Sequence, residues 1–127
     1  MTYRVLVVDD SKLARMSVAK ALNNLYPAWE RIEASNAEEA LGAVKNSEID
    51  VALLDFNMPG QDGLSLAEDL RRLRPDMPVA VVSANMQHEV VERAGKVGAA
   101  FLPKPLTQDS LAGFLDTAVQ RLKTRAG

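Results

Sequence analysis

The sequence predicts an α/β domain: a parallel sheet covered on both faces by helices. Three observations predict it. Apolar runs of strand length recur, and residues 51–54 (Val-Ala-Leu-Leu) lack the polar alternation of a half-buried strand, which suits a strand buried on both faces. Between the runs lie apolar stripes at helical spacing. Strand and helix patterns alternate five times, which argues for parallel pairing through crossover helices.

The strands are expected at residues 3–8, 31–34, 50–54, 78–82 and 99–102. Ala14, Val18, Ala21, Leu22 and Leu25 form the first helical stripe, which Pro27 ends. Asn36 with Glu39 three residues on suggests a capping box ahead of Ala40, Leu41 and Val44. Leu66, Ala67, Leu70 and Leu73 make the third stripe, ended by Pro75. Val90, Val91, Ala94 and Val97 make a weaker fourth, ended by Gly98, and Gly95 lowers its helix propensity. Thr107 is placed to cap the fifth helix, whose face is Leu111, Phe114, Leu115, Ala118, Val119 and Leu122. One domain is expected over residues 1–127, with a structured core over about 3–122 and with 123–127 a tail or the start of a linker.

Composition narrows the function classes. The 15 basic and 17 acidic residues give a formal net charge of −2, with no basic run, so direct binding of nucleic acid or an anionic membrane is not expected. Cysteine is absent, which excludes disulfides and thiolate metal sites. No apolar stretch approaches the ~18 residues of a spanning helix. The apolar run at 5–8 stops at Asp9-Asp10, too soon for a signal peptide. A soluble, cytoplasmic domain is expected.

The residues that close the strands carry the chemistry. They are Asp9-Asp10, Ser35-Asn36, Asp55, Ser83 and Lys104. In an open α/β sheet, ligands bind beyond the carboxyl ends of the strands, where strand order reverses. A doubly wound, flavodoxin-like (βα)5 order of 2-1-3-4-5 puts that reversal between strands 1 and 3. Asp9, Asp10 and Asp55 then share one crevice, with Ser83 and Lys104 beside it. Taken singly, each has a plainer reading: Asp10 or Ser11 as a helix cap, Asp55 as a turn residue, Ser83 as a turn hydroxyl, Lys104 as a solvated charge. Taken together, three carboxylates repel one another unless a cation joins them. A hard divalent ion with oxygen ligands, Mg²⁺ above all, solves this. A lysine and a hydroxyl suit the oxygens of a phosphoryl group. The crevice has the parts for phosphoryl transfer to a carboxylate.

The stretches VLVVDDS (5–11), LLDFNMPGQDGL (53–64), VVSAN (81–85) and AFLPKPL (100–106), in this order and spacing, resemble the receiver domain of two-component response regulators, of the chemotaxis-regulator-like kind. The resemblance covers essentially the whole chain. It implies that Asp55 is the phospho-acceptor. It implies that Asp9 and Asp10, with Asp55 and the backbone carbonyl of Asn57, bind Mg²⁺, for which Mn²⁺ can substitute. Ser83 and Lys104 then contact the phosphoryl group, and Phe101 is the aromatic that turns inward when Ser83 moves. Lys104-Pro105 matches a pair whose peptide bond is usually cis, a form that proline alone makes accessible at modest cost. Asn57 and Asn85 stand at variable positions that tune the lifetime of the phosphoryl group. Leu106 stands where phenylalanine is frequent.

The implied partners are a sensor histidine kinase or phosphotransfer protein upstream. Downstream stands a protein partner or attached output domain that reads the face of the fourth helix, fifth strand and fifth helix. Homodimerisation through that face is a further option. The implied domain catalyses its own phosphorylation and dephosphorylation but turns over no free substrate. A haloacid-dehalogenase-like phosphatase fits less well, because Asn57 stands where that chemistry needs a second aspartate. A flavin or nucleotide module lacks its glycine-rich phosphate loop after the first strand. A degenerate receiver serving only as an interaction module fits poorly with a complete residue set. His88, the only histidine, reads as a solvated residue at the start of the fourth helix.

Overall fold

The computed structural model describes residues 2–84 and 87–125. Five strands, β1 (Arg4–Val8), β2 (Glu30–Ala34), β3 (Val51–Asp55), β4 (Val79–Ser83) and β5 (Ala100–Pro103), alternate with five helices. The helices are α1 (Lys12–Leu25), α2 (Ala37–Asn46), α3 (Gly63–Leu73), α4 (His88–Val97) and α5 (Gln108–Arg125). The sheet is wholly parallel, in the order β2-β1-β3-β4-β5.

Two apolar layers sandwich it. Alternate strand residues such as Leu6, Val8, Ala52, Leu54 and Val81 pack with α2, α3 and α4. Their neighbours Val5, Val7, Leu53, Ala80 and Val82 pack with α1 and α5. This two-sided burial is why β3 and β4 read as continuous apolar runs: every residue of both is buried. A fully buried leucine such as Leu54 or Leu64 contributes roughly 1.5–3 kcal/mol by leaving water. β2 lies at an edge, and its Glu30, Arg31 and Glu33 are accordingly exposed.

Capping residues written into the sequence bound the helices. Ser11 Oγ accepts from the Ala14 amide at 3.2 Å, so Ser11, not Asp10, caps α1. Asn36 Oδ1 accepts from the Glu39 amide at 2.8 Å, and Thr107 Oγ1 from the Ser110 amide at 3.0 Å. Gly98 ends α4 in the left-handed region, with φ of 82°.

The structure departs from expectation in particulars. Asp55 and Ser83 are the last residues of their strands, not the first beyond them, because each is still paired in the ladder: Asp55 with Val82, Ser83 with Pro103. The Glu39 carboxylate reaches back to the amide and hydroxyl of Ser35, both at 2.8 Å, one residue earlier than a capping box requires. Asp62, an unforeseen cap, starts α3 by accepting from the Ser65 amide at 2.8 Å. Val91 points to solvent, so the buried seam of α4 is Val90 and Ala94. α5 continues past Leu122 to Arg125, so part of the expected tail is helical.

Candidate functional site

The carboxyl ends of β1, β3, β4 and β5 converge on one crevice. Asp9 follows β1 directly. Its amide donates to the Ala34 carbonyl at 3.1 Å, and its Oδ1 accepts from the Ser11 amide at 2.9 Å. Asp10 follows and is exposed. Asp55 ends β3 and is only 5% exposed. Carboxylate oxygens of Asp9, Asp10 and Asp55 all lie within 4.8 Å of one another. Burial pushes the Asp9 carboxyl above the usual range; the Ser11 amide opposes this, the charge of Asp55 adds to it, Lys104 opposes it and Asp10 adds to it.

Lys104 enters from β5. Its Nζ lies 2.5 Å from Asp55 Oδ1. Its amide donates to the Ser83 carbonyl at 3.0 Å, which fixes the β5–α5 loop against the end of β4. The Lys104–Pro105 peptide bond is cis. Ser83 is fully buried at the end of β4. Phe101, half-buried on β5, packs with the layer that holds α3 and α4. Asn57 is exposed in the loop after β3, two residues beyond Asp55. Asn85 lies outside the described residues. His88 is 90% exposed, and its Nε2 pairs with Glu92 Oε2 at 3.2 Å.

Glycine closes the loop over the site. The Gly63 amide donates to the Phe56 carbonyl at 2.9 Å, and its Cα lies so near the Asp55 carbonyl that a Cβ there would overlap backbone. That close approach explains a glycine eight positions after the carboxylate in the sequence.

The donor set suits a hard divalent cation. Three carboxylates converge, and that of Asp55 is almost wholly buried. Asp55 Oδ1 has the Lys104 ammonium nearby but no donor at hydrogen-bonding angle. A buried carboxylate oxygen left this way costs free energy that an oxygen-seeking ion offsets. A cavity of about 500 Å³ is lined by Asp9, Asp55 and Lys104 together with apolar residues such as Ala14, Val18, Pro105 and Leu106.

Arg15 is a contributor that the sequence pattern did not single out. Its Nη1 donates to the Asp9 carbonyl at 2.6 Å and its Nε to Glu33 Oε1 at 2.9 Å. It stands four residues from the Ser11 cap on α1, and only the register of β2 beside β1 brings Glu33 to it.

Comparison with known proteins shows the family. The family model for the response regulator receiver domain matches residues 5–116. The glycerol metabolism activator of Pseudomonas putida is 35% identical over 90% of this chain and 52% of its own length. The transcriptional regulatory protein PdtaR of Mycobacterium tuberculosis is 33% identical over 94% of this chain and 58% of its own. The chain spans little more than half the length of these relatives. Among solved structures, a CheY-like receiver domain protein from Methanospirillum hungatei superposes with a TM-score of 0.87 at 27% identity, covering 98% of this chain and 99% of its own. The chemotaxis protein CheY4 of Vibrio cholerae does so with a TM-score of 0.83 at 26% identity, covering 93% and 99%. No helix among the described residues is long and apolar enough to cross a membrane. By the family model and the shared fold, the chain belongs to the response regulator receiver domains of two-component systems.

Proposed function

We propose that this receiver takes a phosphoryl group from the phosphohistidine of a sensor histidine kinase or phosphotransfer protein onto Asp55. The observation that carries the reading is Asp55 itself. It is a buried carboxylate at the end of a central strand, 2.5 Å from the Lys104 ammonium and within a cluster completed by Asp9 and Asp10.

Asp9, Asp10, Asp55 and the Asn57 backbone carbonyl are the groups that would hold Mg²⁺, with Mn²⁺ as a substitute. Bound there, the ion would offset negative charge on the phosphoryl oxygens. An Asp55 oxygen attacks phosphorus, the histidine N–P bond breaks, and the imidazole nitrogen keeps the electron pair and takes up a proton. Lys104 passes from the Asp55 carboxylate to a phosphoryl oxygen, a charge-assisted contact that holds the group in place. The Ser83 hydroxyl donates to a second oxygen. Water later attacks phosphorus, the acyl–phosphate bond breaks, and the Asp55 carboxylate is restored. By the family resemblance, Asn57 and Asn85 tune how long the phosphoryl group survives.

The signal is a shift in population between two arrangements of one face. Ser83 and Phe101 move together, and the surface of α4, β5 and α5 changes. A downstream protein, an attached output domain or a second copy reads it. The reading places the domain in the cytoplasm.

Intact mass after incubation with Mg²⁺ and acetyl phosphate tests it. The parent gains one phosphoryl group, and Asp55→Asn gains none. An equal gain in Asp55→Asn, or none in the parent, overturns the reading.

A further inference from the structure

We propose that Arg15 is a positioning residue for the divalent-cation site, clamping the Asp9 carbonyl so that the three carboxylates stay together. The inference rests on the proposed cation site and deepens it.

The Asp9 backbone is held on both sides. Its amide is tied to β2 through the Ala34 carbonyl at 3.1 Å. Its carbonyl is tied to α1 through Arg15 Nη1 at 2.6 Å. The guanidinium is itself anchored, because Nε donates to Glu33 Oε1 at 2.9 Å, and the Arg15 side chain is only 15% exposed. A planar guanidinium holds a carbonyl and a carboxylate with donors in fixed directions, whereas the three donors of an ammonium rotate freely. Arg15 thus bridges α1, the loop that carries Asp9 and Asp10, and the edge strand β2.

That loop needs a restraint. Its Asp10 is exposed, and Asp9, Asp10 and Asp55 repel one another at the distances observed. Repulsion alone would swing the loop outward and scatter the donors. With the Asp9 carbonyl fixed, the direction of its side chain is set before any ion arrives. Outer groups that orient ligands in this way typically change metal affinity by about 10–100-fold.

The test measures the thermal midpoint against Mg²⁺ concentration, which needs no phosphorylation. Arg15→Met keeps the apolar stem and removes the donors. It is expected to raise the apparent Mg²⁺ dissociation constant about tenfold. Arg15→Lys restores the charge and an ammonium donor group without the planar fork, and recovers part of the loss. Glu33→Gln weakens the anchor and gives a smaller loss in the same direction, and serves if Arg15→Met fails to fold. Phosphorylation by acetyl phosphate, run in parallel, slows at low Mg²⁺ and returns to within about twofold of the parent at saturation, as expected when affinity alone falls. An Mg²⁺ affinity in Arg15→Met within twofold of the parent overturns the proposal. So does a loss that Arg15→Lys does not relieve at all. A parent that binds Mg²⁺ but takes no phosphoryl group overturns the proposed function and leaves the Arg15 comparison intact. A parent with no response to Mg²⁺ overturns both.

Discussion

Lys104 Nζ lies 2.5 Å from Asp55 Oδ1, although β4 separates their two strands in the sheet. The lysine spans that gap because its backbone amide is already bonded to Ser83 at the end of β4. Asp55 is buried and the lysine is half open to water. The pair therefore protects a costly buried carboxylate more than it protects the lysine. Lys104→Met is expected to lower stability by about 1–2 kcal/mol without divalent cation, a value reduced for the exposure of the lysine. Urea midpoints with and without Mg²⁺ check it, and Mg²⁺ should recover part of the loss.

The three carboxylates carry the opposite lesson. Asp9 is nearly buried beside two like charges, and its carboxyl is held above the usual range, first by burial. Removing its charge relieves that repulsion. Asp9→Asn is expected to raise the stability of the metal-free domain by about 1 kcal/mol. The same change should abolish most of the stabilisation that Mg²⁺ gives the parent. A denaturation series in chelator and in Mg²⁺ reads both effects.

Gly63 has no room for a side chain. A Cβ would overlap the carbonyl of Asp55 and the backbone of Phe56, and neither can retreat as a flexible side chain could. Gly63→Ala is expected to cost about 1–3 kcal/mol through forced backbone movement. The urea midpoint checks the loss. Gly42→Ala is the control: it lies within α2 and has open space around it, so it should hold or raise the midpoint.

Glu39 predicts a pH dependence. Hydrogen bonds from the Ser35 amide and hydroxyl hold its carboxyl below the ordinary 4.5. A carboxyl lowered in the folded state adds stability above its unfolded pKa, and that stability is lost as pH falls through the folded value. Glu39→Ala should therefore be less stable than the parent near neutral pH. The two should converge in acid, below the folded pKa. Urea midpoints at neutral pH and in acid give the comparison.

The architecture was legible because its signals are local. Buried parallel strands demand apolar runs, and crossover helices demand stripes of period 3.6, so the alternation is visible without any contact being known. Ser11, Asn36 and Thr107 cap the helices as their positions suggest. The convergence of Asp9, Asp10, Asp55, Ser83 and Lys104 was legible for a different reason: a parallel sheet sends all its carboxyl ends to one edge. Asp62 and Arg15 were not legible. An aspartate before glycine reads as a turn, and an arginine on a polar helix face reads as solvated.

What the sequence determined by itself was the order of elements, their faces and the rim on which the polar residues gather. Each follows from propensity and periodicity within a few residues. What tertiary structure alone decided was distance and partnership. Asp55 and Ser83 remain inside their strands because neighbouring strands still pair with them. Glu39 turns to Ser35 because that serine offers both an amide and a hydroxyl. Arg15 reaches Glu33 as well as Asp9 because β2 lies beside β1, and Glu33 is remote from Arg15 in sequence. Hydrogen bonds and ion pairs act over about 3 Å, and no local pattern specifies which distant groups arrive within that range.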